Sequence, residues 1–317
     1  TKFKHYLTTA GQLGGNEILP TISSIFRQNL ADKRIKMAEY TVEALGMIGT
    51  NKALRQVEVI SRKFANKRPS ISQKALLVLE AASVELNISA EELSDRIIPD
   101  FDFEGLYKPF EVENETYRAF INTDFSLCYF DEDNKMKKSL PKGVSSEQKA
   151  EFKEIEKELK EVVKGQKGRF EKFFVEERRW TSAAWISFFQ EHPIMFVYAR
   201  KLVWGVFDEN QNLKNSFYCS DDTSLYDLFD DEVELLDGDY VGLVHPIYLE
   251  TETLKKWKDK LYEMSLITVF PQLDRKVFLV QDSEKDTNVS KLFYNTEIPK
   301  GADFVSSNVE KMGWYKS

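Results

Sequence analysis

Cysteine is almost absent. Cys128 and Cys219 are the only two in 317 residues, and neither sits in a CxxC pair. That excludes a disulfide framework and a cysteine-ligated zinc site, and it leads us to expect a reducing, cytoplasmic setting. Histidine is as scarce, with His5, His192 and His245 alone. No run approaches the roughly 18 consecutive apolar residues of a transmembrane helix, so no membrane role is expected. The opening TKFKHYLTTAGQLGG lacks the pattern of a signal peptide. The G-x-x-x-x-G-K-[ST] phosphate loop, a GxGxxG after a strand, the GxSxG elbow and HExxH are all missing, which removes the commonest nucleotide, hydrolase and zinc-protease readings. GQLGGNE (11–17) is glycine-rich but follows no strand pattern. DDTSLYDLFDDEVE is acidic, yet it lacks the glycine and spacing of a calcium loop. Neither a cofactor nor a metal is therefore expected. A net charge of −8 argues against a general nucleic-acid or anionic-membrane binder. Because the chain opens on Thr1 and not Met, we expect a piece of a longer protein.

What is present can build cores. Hydrophobic residues are 42% and aromatics 13% of the chain, too many for global disorder. The length suggests two domains. Residues 17–98 read as helices only. In MAEYTVEALGMIG, Met37, Ala44, Leu45 and Ile48 recur at helical spacing. Gly49 is a stop and Thr50 or Asn51 a cap before ALRQVEVISRKF; Pro69 opens a third helix. Met37-Ala38 and Val42–Leu45 recur 37 positions later as Lys74-Ala75 and Leu79–Ala82, a period that suits paired-helix repeats of HEAT-like type. Ser89 with Glu92 predicts a capping box for a last short helix.

The pattern changes near Asp100. Tyr117, Ala119, Ile121 and then Phe125, Leu127, Tyr129 alternate as strands do, so 106–140 reads as a meander. Residues 146–178 read as one long charged helix with Phe152, Ile155, Leu159, Val162, Phe170 and Phe173 on its apolar stripe; Gly165 and Gly168 are expected to bend it. TSAAWISFFQEH is a helix capped by Thr181. Pro193 opens a core helix expected to run to Gly205, followed by a hairpin over 204–220, a strand at Tyr240–Val244 and a helix burying Leu254, Trp257, Leu261 and Met264. A strand after Gln272, beginning at Arg275, and a terminal helix ending at Gly313 complete it. The expected class is α+β: HEAT-like helices over 1–99, then an α+β domain over 100–317 with short antiparallel strands.

Two His-Pro steps, at His192 and His245, could supply an acid–base pair or ligands. Equally, each imidazole could cap the element its proline starts. Arg178, Arg179, Arg200 and Arg275 would form an anion site if they converged, because guanidinium grips carboxylate or phosphate with two N–H bonds. Alternatively, Arg200 or Arg275 is buried against an Asp or Glu of the acidic loop DDTSLYDLFDDEVE (221–234) and fixes how elements dock. WGVF (204–207) resembles a Trp-Gly-Arg module, but Val206 replaces the arginine, which rules out that identity.

RRW (178–180), HPIMFVYARKLVWGVFD (192–208), VGLVHPIYL (241–249), the helical Trp257 and VFPQLDRKVF (269–278) together resemble the bacterial family known as domain of unknown function 4132, some of whose members are labelled molybdate-metabolism-regulator-like. LGG (13–15), ALGMIGTNKAL (44–54) and AEELSDRIIPDFDFEG (90–105) resemble the helical segment that precedes it. The most specific parts are L-V-W-G with F-P-Q-L-x-R, so Trp180, Trp204, Gly205, Trp257, Pro271 and Gln272 stand out as signature residues. The resemblance implies no reaction. It implies partners: AAA+ ATPases of the MoxR type and von Willebrand A proteins, with this chain as adaptor or effector.

An interaction or scaffold protein is therefore the first expectation. An enzyme or ligand sensor, with an anion site of Arg178, Arg179, His192, Arg200, His245 and Arg275, is the alternative. Nucleic-acid binding through Lys135, Lys137, Lys138 and Lys142 comes third, opposed by the net charge.

Overall fold

The computed structural model describes residues 2–277. The chain divides into two compact units, residues 1–102 and 103–317. The class is α+β, with helices first and antiparallel sheets after.

In the first unit, α1 (Lys2–Leu13), α3 (Ile35–Ile48) and α5 (Pro69–Glu85) lie side by side, with α2 (Leu19–Ala31) packed on α3 and α4 (Asn51–Phe64) on α5. α6 (Ala90–Arg96) follows. Gly49 takes a left-handed φ of 68° that ends α3. The Thr50 side chain then accepts from Ala53 N and starts α4. Ala38, Val42, Leu45, Val57 and Ile71 close the core. Gly46 lets α5 come close: a Cβ there would lie 2.2 Å from Val78 Cγ1. At Ser89, the hydroxyl accepts from Glu92 N.

The second unit starts with a meander of β1 (Tyr107–Val112), β2 (Glu115–Ile121), β3 (Leu127–Phe130) and β4 (Met136–Lys137), paired in sequence order. α7 spans Ser146–Val175. Ser145 is the N-cap, and its capping box closes with Gln148. The helix runs unbroken through Gly165 and Gly168, about 45 Å at 1.5 Å per residue. Its first half packs Phe152 against Phe110 and Tyr129 of the meander, with ring centroids 4.9 and 5.5 Å apart. Its second half packs Phe170 and Phe173 against Tyr198 and Trp180 at 4.7 and 5.1 Å. One helix thus serves both sheets.

The second sheet has the antiparallel order β5-β9-β6-β7-β8, made of Arg179–Thr181, Tyr240–Leu243, Trp204–Phe207, Leu213–Cys219 and Leu225–Asp227. One face carries Trp180, Trp204 and Phe217, joined by Trp185 and Phe189 from α8 (Ser182–Trp185) and the π-turn that extends it. Such aromatic pairs contribute about 0.5–1.5 kcal/mol each beyond their burial. The other face receives α10 (Thr251–Glu263), whose buried Trp257 donates to Ser216 Oγ at 2.9 Å.

Several expectations are corrected here. The helix opened by Pro193, α9, ends at Ala199 and not at Gly205. The indole N–H of Trp204 reaches back to Ala199 O at 2.9 Å, and pairing with β7 and β9 claims Trp204 onward. Met264 is 40% exposed and not inward. No strand begins at Arg275 within the described residues, and the expected terminal helix lies outside them.

Candidate functional site

Both His-Pro histidines are N-caps. His192 Nδ1 accepts from the backbone N–H groups of Ile194 and Met195 at 3.2 and 3.4 Å. His245 Nδ1 accepts from Ile247 N at 3.1 Å and starts the single turn Pro246–Tyr248. An accepting Nδ1 carries no proton, so each imidazole is held as the Nε2–H tautomer. The proline supplies a preset φ at N1, and the extended residue before it places the ring over the free N–H groups.

Arg179, His245 and Arg275 gather around the last turns of α7. His245 stacks on Phe174 with ring centroids 4.8 Å apart, and Phe174 also meets Phe270. Burial lowers the His245 pKa, with Glu177 opposing. Tyr248 donates to Glu177 Oε1 at 2.8 Å and accepts from Arg179 Nη2 at 3.4 Å. The Arg179 guanidinium lies 3.7 Å from the Phe207 ring centroid, and burial lowers its pKa. Gly242 makes this course possible, since a Cβ there would lie 2.6 Å from Arg179 Cδ. Arg275 pairs with Glu171 of α7.

Arg178 adjoins this group but faces other rings, and His192 and Arg200 stand elsewhere. The Arg178 guanidinium covers the rings of Phe173 and Trp180 at 4.8 and 4.7 Å. Arg200 is the C-cap of α9, about 12 Å along the axis from His192. It donates to Asp221 Oδ1 at 2.5 Å. The arginines and histidines are therefore brought together in part only: Arg178, Arg179, His245 and Arg275 near the end of α7, and His192 and Arg200 at the two ends of α9. Among the described residues, no group of three or more His, Cys, Asp or Glu could hold a metal ion.

The segment LVWG meets FPQLDR. Gln272 is fully buried, accepts from Val203 N at 3.0 Å, and donates to Val203 O and Val244 O at 2.6 and 3.0 Å. Around it, Phe270 packs on Phe174, Leu273 joins Val203, Val244 and Trp257, and Arg275 holds Glu171. These residues lock the ends of β6 and β9 to the segment after α10.

A family profile matches residues 135–314, the stretch that contains this lock. The chain belongs to that family, Domain of unknown function (DUF4132). It is also similar to the Uncharacterized protein YehI of Escherichia coli (strain K12), 24% identical over a 257-residue alignment, which covers 77% of this chain and 21% of that protein. The chain thus spans about a fifth of the length of that curated relative. No solved structure matches. No helix among the described residues is long and apolar enough to cross a membrane.

Within the DUF4132 segment, sequence reasoning found the arginines and histidines but missed Glu171, Glu177, Tyr248 and the clamp made by Gln272. Tyr248, three residues after a His-Pro step, was the one legible signal. The others become visible only when distant segments meet.

Proposed function

We propose that this DUF4132 chain is a non-catalytic adaptor whose helical unit docks a basic, amphipathic helix of a partner protein. The observation that carries this is the outer side of α5. Leu76 and Leu77 are each 49% exposed and Val84 is 76% exposed. Leu77 and Val84 lie seven residues apart, on one line of the helix. Glu80 and Glu85 are exposed between and beside them, so the stripe is apolar with acidic flanks. A helix with an apolar line and basic edges matches it in both respects. Met47 on α3 and Tyr6 and Leu13 on α1 extend the exposed apolar surface over the same layer of helices. A HEAT-like reading of these helix pairs supports an extended binding face. AAA+ ATPases and von Willebrand A proteins are the first partners to try.

The test is affinity purification from the source organism with the wild-type chain and with the Leu76→Glu, Leu77→Glu, Val84→Glu triple variant, circular dichroism confirming equal helix content. A partner that contacts the wild type through a basic amphipathic segment and is lost with the variant supports the assignment. Recovery of the same proteins by both refutes it.

A further inference from the structure

Arg200 carries a second feature that its role as a brace does not use. The residue is only 7% exposed. Its guanidinium faces Phe196 of α9 and Phe120 of β2, with ring centroids at 4.7 and 5.9 Å. Rings therefore occupy its faces, and only its edges are left for hydrogen bonding. Nη1 donates end-on to Asp221, whose side chain is 88% exposed. Nε and Nη2 are buried and have no hydrogen-bond partner among the described residues. These two nitrogens form the edge whose N–H bonds run parallel, the edge that takes two oxygens of one carboxylate or phosphate group. A buried cationic edge with both donors unmet is costly unless an acceptor reaches it.

The surroundings favour an anion as that acceptor. Lys201 places a second cation beside Arg200, its ammonium 5.3 Å from the Phe125 ring centroid. Burial, and then the charge of Arg200, lower the Lys201 pKa. The two nearby thiols cannot serve as counter-charge. Burial pushes Cys219 up to about 12 and raises Cys128 as well, so both stay neutral. Two carboxylates oppose the cations. Asp221 is engaged on Nη1, and Asp124 is engaged by the backbone N–H and hydroxyl of Ser126 at 2.9 and 2.5 Å. The turn 220–224 that carries Asp221 is short, with Asp221 and Asp222 exposed at its tip, so a small ion could reach the edge by displacing one turn.

We propose that the Nε/Nη2 edge of Arg200 is a binding site for a small oxyanion, a carboxylate or phosphate group, between the β2–β3 turn and the β7–β8 turn. This goes beyond the adaptor reading and does not depend on it.

The test titrates the 317-residue chain with sodium phosphate and, separately, with sodium acetate, ionic strength being held constant with sodium chloride. The readouts are Tm and the arginine Nε–Hε resonances. The site predicts a saturable rise in Tm and a saturable shift of one Nε–Hε resonance, the one missing from Arg200→Lys. Response to both anions fits any carboxylate or phosphate; response to phosphate alone narrows the ligand to phosphoryl groups. No saturable response to either anion means that water alone serves this edge, and overturns the assignment. So does a response that persists in Arg200→Lys. Should that variant fail to fold, Asp221→Asn decides: it removes a competing negative charge and leaves the edge intact, so apparent affinity should rise several-fold. Unchanged or weaker binding overturns the assignment.

Discussion

Replacing Gln272 by alanine should cost the second unit a large part of its stability. The side chain makes three buried hydrogen bonds to Val203 and Val244. Val203 O keeps a partner, because Val244 N also donates to it at 3.2 Å. Val203 N–H and Val244 C=O each lose the bond that Gln272 supplies. An orphaned buried polar group costs about 1–3 kcal/mol, so two of them predict a loss of about 2–6 kcal/mol. That compares with a total stability of about 5–15 kcal/mol for an ordinary domain. Urea unfolding followed by tryptophan fluorescence is the suitable assay, because all five tryptophans lie in the second unit. Gln272→Glu gives a second handle. One of its oxygens would face two carbonyls and would need a proton, so its folded-state pKa is raised. Its stability should therefore be highest below the ordinary glutamate range and fall as pH rises through the raised value. A loss below about 1 kcal/mol in Gln272→Ala would refute the clamp.

His245→Asn keeps a cap but removes the titration. Burial depresses the folded-state pKa of His245, so its contribution is complete above the unfolded value of about 6.5 and is lost as pH falls below it toward the folded value. The Phe174 ring stacks on the imidazole, and the charge of Glu177 opposes the shift. Wild type should thus lose stability below about pH 6.5 more steeply than His245→Asn, and parallel pH–stability curves would contradict the capping role. Gly242→Ala places a Cβ 2.6 Å from Arg179 Cδ and 2.8 Å from Arg178 O. It should cost about 1–3 kcal/mol, as overpacking does, and adding Arg179→Ala should restore part of the loss, not all. A neutral Gly242→Ala in urea unfolding would disprove the close approach. For Glu171 and Arg275, which are 28% and 36% exposed, a double-mutant cycle with Glu171→Gln and Arg275→Met should return a coupling of only about 0.5–1 kcal/mol because solvent screens the pair. A coupling several times larger would mean the pair is drier than its exposure implies.

Local signals in the sequence located many elements, because periodicity and caps act within a few residues. Gly49 and Thr50 mark the α3–α4 junction, Thr181 caps its helix, and Pro193 opens α9 with His192 in capping position. The meander was visible in the alternation of Tyr117, Ala119 and Ile121, all buried. What local pattern could not supply was competition between elements. The apolar run after Pro193 looks helical as far as Gly205, yet β7 and β9 capture Trp204 as a strand. The cap of α7 is Ser145, because Gln148 sits three residues on and can answer its backbone N–H. The partners of the candidate site are remote. Glu171 lies 104 residues from Arg275, Asp221 lies 21 from Arg200, and Val203 lies 69 from Gln272. The acidic loop was legible as a partner for Arg200, and Asp221 fills that place; Arg275, expected against the same loop, meets Glu171 of α7 instead, which only the assembled fold shows.

The adaptor reading is tested most directly by site-specific photocrosslinking in cells of the source organism. A photoreactive residue at Leu77 or Val84 should yield a discrete adduct with one partner, mapped to a basic amphipathic helix. The same residue at Lys157, on the solvent face of α7 and 72% exposed, should yield none. Equal labelling at Lys157, or no adduct at Leu77 and Val84, would contradict the assignment of this face to a partner.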